Sequence, residues 1–256
     1  MKWVRPPKIL LAMDRPTSYT VGHTWYLFDH VLRYPTTRVS CQNLEKLDLG
    51  KFNVLILPEG DYSHAPGFNK QLAERLRLWV NDGGTLVLVA SAAVWASQEK
   101  IGLWKLQRVA NPDAKPVADK PASPGEEEAA EDESSELRWP DSVPGAFLRT
   151  DVFQQHWLTF GCPVSLNVFF YGNIFFEPLA IEDGRNLITF AQQDPLVAAG
   201  FCWPKTAQVL PGKTWLAYKP VGKGHLVAFA ADPNYRAMYP GLQRLFLNAC
   251  LFGPGQ

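Results

Sequence analysis

The stretch at residues 79–95 reads WVNDGGTLVLVASAAVW and predicts a helix end, a buried strand and a tight turn into a second helix. Asp82-Gly83-Gly84 is a typical helix stop, because glycine enters the left-handed cap conformation at little steric cost. Residues 85–90 form a nearly all-apolar run, which is typical of a strand buried on both faces of a parallel sheet. In doubly wound sheets, ligands and nucleophiles lie at the turn that follows such a strand.

Ser91 stands at this turn, roughly where hydrolases and amidotransferases carry a Ser or Cys flanked by glycines. Its flanks are alanines instead. Catalysis by Ser91 would also require a base within hydrogen-bond reach. His225 begins a predicted strand and should lie at the opposite end of the sheet, whereas His23 or His64 could approach the turn. Ser91 is therefore a weak catalytic candidate, and a serine-dependent hydrolase remains an alternative.

The segments before this stretch alternate between strands and helices. We predict strands at residues 8–13, 36–41 and 53–57, and helices at residues 22–32 and 68–81. This βαβαβ series predicts a parallel, right-handed doubly wound sheet of the flavodoxin-like α/β class. The helix at residues 22–32 should turn one apolar face inward, formed by Trp25, Phe28, Val31 and Leu32.

The second half of the chain is richer in short β segments. The predicted strands lie at residues 147–152, 165–170, 187–190, 197–202, 214–218 and 225–230, and a helix at residues 240–252 closes the chain. The turn Gly222-Lys223-Gly224 predicts a hairpin over residues 214–230. We expect these strands either to extend the first sheet on its far side or to form a small antiparallel subdomain.

Residues 111–144 differ in composition from the rest of the chain. They are rich in Pro, Ala, Ser and Glu, with the acidic run GEEEAAEDESSE at the centre. Such a segment contains almost nothing that can build a core. We therefore predict one α/β domain over residues 1–256, interrupted by a flexible acidic insertion at residues 111–144. An acidic docking segment is the alternative interpretation.

Several polar residues follow the predicted strands. Because the carboxyl ends of parallel strands meet at one edge, these residues should gather into a rim that suits a polar ligand. Helix capping and mutual pairing are the structural alternative. Within the rim we expect Arg236 to hold a carboxylate in a bidentate pair, with Asp232, Asp14 or Glu59 as its partner. The predicted rim consists of Asp14, Arg15, Glu59, Ser91, Asp232 and Arg236.

Composition argues against several classes of function. Lys plus Arg is 25 and Asp plus Glu is 25, so the formal net charge is zero and nothing favours nucleic-acid or membrane binding. The 4 cysteines are widely spaced without a CxxC pair, and HExxH and glycine-rich phosphate loops are absent. We therefore expect no metal and no cofactor. The cysteines are read as buried free thiols, with one disulfide as the alternative.

The chain is also rich in aromatic residues. Its 9 tryptophans and 8 tyrosines either pack the core and edges or line a face that binds carbohydrate or peptide. A carbohydrate- or peptide-binding module is therefore another alternative function.

Four segments carry a resemblance to a known family. They read GHTWYLFDHVLRYPTT, FNVLILPEGDY, LRLWVNDGGTLVLVASAAVW and GKGHLVAFAADPNYRAMYPGLQRLFLNACLFG. These segments resemble the C-terminal domain that follows the catalytic domain in large bacterial zinc carboxypeptidases of the carboxypeptidase A type. That domain is similar to class I glutamine amidotransferases. The resemblance covers most of the chain except residues 111–144.

The resemblance implies a non-catalytic accessory domain. Active class I amidotransferases carry a nucleophilic Cys at the turn and a downstream His-x-Glu, and this chain lacks both. The zinc-binding His-x-x-Glu of the peptidase domain is missing too. The implied partner is a zinc carboxypeptidase catalytic domain, in cis or in trans, together with a small polar ligand or peptide. The implied location is periplasmic or secreted if the peptidase is exported, and otherwise cytoplasmic.

Overall fold

The computed structural model describes residues 6–111, 139–193 and 195–255. Ten strands of this part form one sheet in the order β2-β1-β3-β4-β10-β9-β7-β5-β6, with β8 paired beside β5. In chain order the strands are β1 (Ile9–Met13), β2 (Thr37–Ser40), β3 (Val54–Leu57), β4 (Thr85–Val89), β5 (Val143–Val152), β6 (Ser165–Gly172), β7 (Arg185–Phe190), β8 (Val197–Phe201), β9 (Thr214–Val221) and β10 (Gly224–Phe229). The α-helices are α1 (Val21–Tyr26), α2 (Lys70–Asn81), α3 (Ser91–Ser97), α4 (Pro204–Val209) and α5 (Pro240–Phe252).

The first half of the sheet is parallel, as the βαβαβ pattern predicts. β1 pairs with β2 and β3, and β4 lies between β3 and β10, all in parallel register. Every residue of β3 and β4 is buried, which explains their continuous apolar sequence. The carboxyl ends of these strands therefore meet at one edge of the sheet, which we call the carboxyl edge.

The second half extends this sheet instead of forming a separate subdomain. β9 and β10 form the predicted hairpin, and β7, β5 and β6 continue outward in antiparallel register. The pairing of β5 shifts register between Val143 and Ala146, and that of β7 shifts between Asn186 and Thr189. Such irregularities bend and twist a sheet. Helix α4 within this half was not predicted.

The first helix differs from its predicted inward face. After α1, residues Leu27–Val31 form a π-helical turn. A π turn takes one residue more than an α turn, so the residues beyond it rotate out of the α-helical pattern. Phe28 is buried, but Val31 and Leu32 are exposed, so their predicted inward orientation is wrong.

The predicted insertion at residues 111–144 is too long at its C-terminal end. Val143 is buried and begins β5, Pro140 is also buried, and Arg108 lies 4.0 Å from the centre of the Trp139 ring. Residues 139–144 thus belong to the folded domain. The rest of the insertion, residues 112–138, lies outside the described residues.

All four cysteines are free thiols. Burial raises the pKa of the Cys41 thiol to about 12, with a smaller contribution from the charge of Asp14. Burial likewise raises the pKa of the Cys162, Cys202 and Cys250 thiols, so all four are protonated at neutral pH. In the described part of the chain, no helix is both long and apolar enough to cross a bilayer.

Candidate functional site

The candidate site lies at the carboxyl edge, where the chain leaves β3, β4 and β10. The turn after β4 carries Ala90 and Ser91, the loop after β3 carries Glu59, and the loop after β10 carries Asp232. A small pocket opens between these loops, lined by Thr20, Glu59, Ala90, Phe169, Tyr171, Ala231, Asp232 and Tyr235.

Ala90 occupies the strained position of the turn. Its φ of 48° and ψ of −113° lie outside the regions that L-residues normally adopt. The Ala90 N–H donates a hydrogen bond of 2.7 Å to the Phe229 carbonyl of β10, which ties the turn to the neighbouring strand. In nucleophile elbows, the sharp strand-to-helix turn presents the nucleophile itself. The structure therefore places Ala90, and not Ser91, at the position of a nucleophile.

Ser91 begins α3, and its hydroxyl holds the loop after β3. Its Oγ accepts a hydrogen bond of 2.8 Å from the Gly60 N–H. In α/β-hydrolases the oxyanion hole combines two backbone N–H groups. One belongs to the residue after the nucleophile, and the other belongs to a loop that follows another strand of the sheet. Here the corresponding loop N–H, that of Gly60, is already satisfied by Ser91. No hydrogen bond joins Ser91 to a histidine within the described ranges.

The loop after β3 is fixed by the loop after β1. The Ser18 N–H donates to the Glu59 carbonyl at 2.8 Å, and the Asp61 N–H donates to the Pro16 carbonyl at 3.0 Å. Gly60 allows this close approach, because a Cβ there would collide with the Pro16 carbonyl and the Thr17 Cα. These contacts therefore fix the backbone on both sides of Glu59.

His23 and Asp232 form the principal hydrogen-bonded pair of the site. The His23 Nδ1 lies 2.7 Å from the Asp232 Oδ2, and the two side chains are 13% and 8% exposed. The second carboxylate oxygen of Asp232 accepts the Asn234 N–H at 2.8 Å, which forms an Asx turn. Asp232 thus positions both the loop after β10 and the His23 ring.

Glu59 is a carboxylate in an unfavourable environment. Burial raises its pKa above the usual value, and the negative charge of Asp232 raises it further. A hydrogen bond with Thr20 and the nearby His23 oppose this shift only in part. Perturbed carboxyl groups of this kind in a cleft mark candidate functional sites.

Aromatic rings from the distant end of the sheet form one wall of the pocket. Phe169 and Tyr171 lie on β6, which is five strands from β4 in the sheet order. A flat sheet would separate these strands by about 24 Å. The antiparallel half must therefore curl back over the carboxyl edge, where Phe169 packs at 4.7 Å from the Tyr235 ring. The pocket has a volume of ≈ 20 Å³, which accommodates about one water molecule.

Only part of the predicted rim lines this pocket. Glu59 and Asp232 face it, and Ser91 lies just behind it. Asp14, Arg15 and Arg236 are exposed at the surface. The predicted Arg236 ion pair is wrong, since Asp232 pairs with His23 and the Arg236 guanidinium lies 5.3 Å from the centre of the Tyr235 ring.

The remaining histidines lie elsewhere. His64 is exposed and lies 3.4 Å from Asp61, and His30 lies beside Asp29. His225 begins β10 at the opposite end of the sheet, as predicted from its position. There the Tyr218 hydroxyl lies 2.9 Å from the His225 Nδ1, and the His156 ring packs at 4.4 Å from Tyr218. The described residues contain no cluster of three or more side chains suited to a metal ion.

Sequence reasoning missed Thr20 and the aromatic wall, and it could not give His23 a partner. The position of His23 near the start of α1 was a usable signal, because the helix that follows β1 begins at the carboxyl edge. No comparable signal in the sequence places Phe169 and Tyr171 near the carboxyl edge. Their convergence depends on sheet order and curl, which the local pattern of residues does not encode.

Solved structures share this fold across nearly the whole chain. A putative GMP synthase protein from Thermoplasma acidophilum is 11% identical, with a TM-score of 0.57 over 96% of this chain and 94% of that one. A glutamine amidotransferase from Thermotoga maritima is 8% identical, with a TM-score of 0.53 over 95% and 97%. A β-galactosidase from Bacillus circulans is 16% identical, with a TM-score of 0.53 over 95% of this chain but 30% of that enzyme.

Comparisons at the sequence level add no family. No protein-family model matches the chain, and no curated protein matches it. The structural likeness confirms the predicted flavodoxin-like, glutamine amidotransferase-like α/β fold with added strands. At these identities it establishes the fold alone.

Proposed function

We propose that this chain is a non-catalytic, ligand-binding domain with a degenerate amidotransferase-type site. The observation that carries the proposal is the alanine at the strained turn. Ala90 has no nucleophilic group, and the adjacent hydroxyl of Ser91 is engaged by the Gly60 N–H. The paired His23 and Asp232, the carboxylate of Glu59 and the aromatic wall remain available to bind a ligand.

The serine hydrolase is the weaker alternative. An active serine needs a hydrogen-bonded base that removes its proton. The hydrogen bond of the Ser91 hydroxyl is made with the Gly60 backbone amide, and within the described residues no hydrogen bond joins Ser91 to the Nε2 of His23. The peptide- or carbohydrate-binding alternative is compatible with the main proposal, since Phe169, Tyr171 and Tyr235 supply aromatic surface beside carboxylates.

The accessory role beside a zinc carboxypeptidase rests on the sequence resemblance alone. Co-purification with a candidate peptidase would test this association. The chain alone is expected to release no C-terminal amino acid from peptides, and zinc-dependent release by the purified chain would contradict the proposal.

Two serine variants test the absence of nucleophilic catalysis. Ser91→Ala removes the candidate nucleophile, and Ser97→Ala is the matched control, because the Ser97 hydroxyl only donates to the Ala93 carbonyl within the same helix. Hydrolysis of p-nitrophenyl acetate and of glutamine is expected at the buffer rate for the parent and both variants. Turnover by the parent that Ser91→Ala alone abolishes would replace this proposal with the hydrolase.

An Ala90→Cys variant tests whether the turn retains the geometry of a nucleophile elbow. A thiol placed there should be alkylated by iodoacetamide faster than Cys250, because Ala90 lines the pocket whereas the Cys250 thiol is fully buried and its pKa is raised. Peptide mapping by mass spectrometry measures each site separately. Equal labelling of the new thiol and buried Cys250 would contradict the elbow assignment.

A further inference from the structure

Strand β6 lies at one end of the sheet and, among the described residues, pairs with a strand on one side only. It forms an antiparallel ladder with β5, in continuous register from Asp151↔Ser165 to Ala146↔Phe170. Its other side is an edge of the sheet. An edge strand exposes a row of backbone N–H and C=O groups, which can pair with another strand.

The direction of each backbone group in β6 follows from the hydrogen bonds of β5. The Arg149 N–H donates to the Leu196 carbonyl at 2.8 Å, and the Arg149 carbonyl accepts the Ala191 N–H at 2.9 Å. Both bonds lie on the side of β5 that faces away from β6. The backbone groups of successive residues alternate in direction, so the neighbours of Arg149 face β6. The Val152 N–H, which donates to the Val164 carbonyl just before β6, follows this alternation.

The same alternation identifies the residues of β6 whose backbone groups face outward. Asn167 lies opposite Arg149, so its N–H and C=O groups point away from β5. Ser165, Phe169 and Tyr171 follow the same pattern. Within the described ranges, no hydrogen bond reaches the outward N–H or C=O groups of these residues. Ser165, Asn167 and Tyr171 are also exposed, so the row of backbone groups is open to solvent.

β6 lacks the features that usually protect an edge strand. Native edge strands are kept short, carry charged residues or proline, or contain a bulge. β6 has 8 residues, reads SLNVFFYG, and contains neither a charged residue nor proline. By contrast, the opposite edge strand β2 has 4 residues and carries the exposed Arg38, and the pairing of β8 with β5 shifts register. Of these three strands, β6 therefore has the edge best suited to pairing.

The sequence of this edge is complementary to itself in an antiparallel pair. The outward-facing residues are symmetric about Val168, so a twofold axis there pairs each of them with a counterpart in a second copy. The axis places Leu166 of one copy opposite Phe170 of the other, and Asn167 opposite Phe169. An aliphatic side chain thus meets an aromatic one, and no like charges oppose each other. Because β6 has no charge that would select an oppositely charged partner, a second copy is the partner that its sequence fits.

We propose that this chain forms a twofold dimer in which β6 pairs with β6 of a second copy. The pairing joins the 10-stranded sheets of the two copies into one continuous sheet. Val164 and Tyr171, which are 70% and 47% exposed at the two ends of β6, become covered in the dimer. This inference goes beyond the proposed function and does not depend on what the pocket binds. Because Tyr171 lines the pocket, the dimer interface adjoins the candidate site.

Variants at residue 167 separate backbone pairing from side-chain contacts. Asn167→Pro removes an outward N–H but no bond to β5, and proline is tolerated where the N–H side of an edge strand faces solvent. This variant should be monomeric, whereas Asn167→Ala keeps the N–H and, as the matched control, should dimerise like the parent. Asn167→Lys puts two positive charges at diagonal positions about 7–8 Å apart and should weaken the dimer roughly tenfold or more. Circular dichroism verifies the fold of each variant, and Asn167→Lys replaces Asn167→Pro if proline disturbs it. If Asn167→Lys dimerises as tightly as Asn167→Ala, β6 is not the interface and the proposal is wrong.

Hydrogen exchange of single amides, measured by NMR, tests the pairing at the level of residues. The outward amides of Asn167 and Phe169 should exchange roughly tenfold or more slowly at high protein concentration than at low concentration. The inward amides of Leu166, Val168 and Phe170 face β5 and are the internal control, with equal protection at both concentrations. Analytical ultracentrifugation from about 1 to 200 µM gives the oligomeric state of the same samples. A monomer at every concentration, or a dimer whose outward amides stay unprotected, would overturn the proposal.

Discussion

At Ala90 the backbone adopts a strained conformation of the kind that clusters at active sites, but the methyl side chain carries no nucleophilic group. A residue with φ of 48° and ψ of −113° costs roughly 1–3 kcal/mol and persists only where its surroundings impose it. The hydrogen bond to Phe229 and the link from Ser91 to Gly60 provide those constraints. At this scale the turn combines a strained backbone with a side chain that carries no nucleophile.

The Ser91–Gly60 hydrogen bond changes the expected effect of Ser91→Ala. From sequence alone this substitution should hardly affect stability. Because Gly60 is buried, losing the acceptor of its amide should instead lower the free energy of unfolding by about 1–2 kcal/mol. Equilibrium urea denaturation measures the change, with Ser97→Ala as the control on the same helix. A Ser91→Ala protein as stable as the parent would show that water replaces the hydroxyl.

Glu59→Gln should stabilise the protein at neutral pH. The raised pKa means that the folded chain holds this proton more tightly than the unfolded chain. The ionised Glu59 therefore lowers the free energy of unfolding as pH rises through its folded-state pKa. Glutamine keeps an acceptor for Thr20 without the charge, so we expect a gain on the order of 1 kcal/mol, or about 2–4 °C in Tm.

The pH dependence of that gain is the control for Glu59→Gln. It should shrink as pH falls towards the ordinary pKa of a glutamate, where both states of the parent bind the proton. Thermal unfolding of both proteins at pH 8 and pH 4.5 measures it. A gain that is equal at the two pH values would contradict the electrostatic explanation.

Among the elements, the β9–β10 hairpin joins the two halves of the sheet. At the end opposite the pocket, it contributes to a cluster of histidine and aromatic side chains. β10 pairs in parallel with β4 and in antiparallel with β9, so the change of strand direction occurs within this hairpin. Near the amino end of β10, Tyr218 and His225 pack with Trp157 and His156 from the turn after β5. These contacts fasten the loop after β5 to the central strands.

His156 should make stability depend on pH in the acid range. Burial lowers its pKa to about 4, with smaller contributions from the charges of His225 and Arg185. Between about pH 6.5 and pH 4 the unfolded chain binds this proton and the folded chain does not, so stability falls as pH falls through this window. The ring is only partly buried, so we expect a loss of about 1–2 kcal/mol after allowing for solvent screening.

A His156→Asn variant measures this contribution. Asparagine keeps an acceptor for the Leu158 N–H, which His156 Nδ1 now accepts at 3.2 Å, but it does not titrate. Urea denaturation at pH 7.5 and pH 4.5 should show a smaller loss for His156→Asn than for the parent. Identical losses in the two proteins would assign the acid sensitivity to other groups.

For the whole molecule, local patterns predicted the elements and one half of the sheet. Local sequence is sufficient to predict the buried strands β3 and β4 and the turn at Gly222–Gly224, because the residues within each element determine its structure. It is not sufficient to predict the aromatic wall, because the wall depends on contacts between distant segments. Arg236 illustrates the same limit: its closeness in sequence to Asp232 suggested a pair, yet His23 lies there instead.

The boundary of the acidic insertion gives a prediction for the whole domain. We expect that a short Gly/Ser linker can replace residues 112–138, whose composition is rich in Pro, Ala and Glu, with a change in Tm below about 5 °C. Extending the replacement to residue 144 should cost considerably more, because it removes the buried Pro140 and Val143, and the Arg108 contact of Trp139. Loss of a buried Val side chain alone is worth roughly 1.5–3 kcal/mol.

Comparison of the two replacements locates the edge of the fold. Thermal unfolding of the parent and both variants, with circular dichroism to verify secondary structure, is sufficient. If both replacements destabilise the domain equally, then residues 112–138 themselves contribute to the core. If neither does, the packing of Val143 at the start of β5 does not matter to stability. Only a marked difference between the two variants agrees with a domain whose second half begins with Trp139.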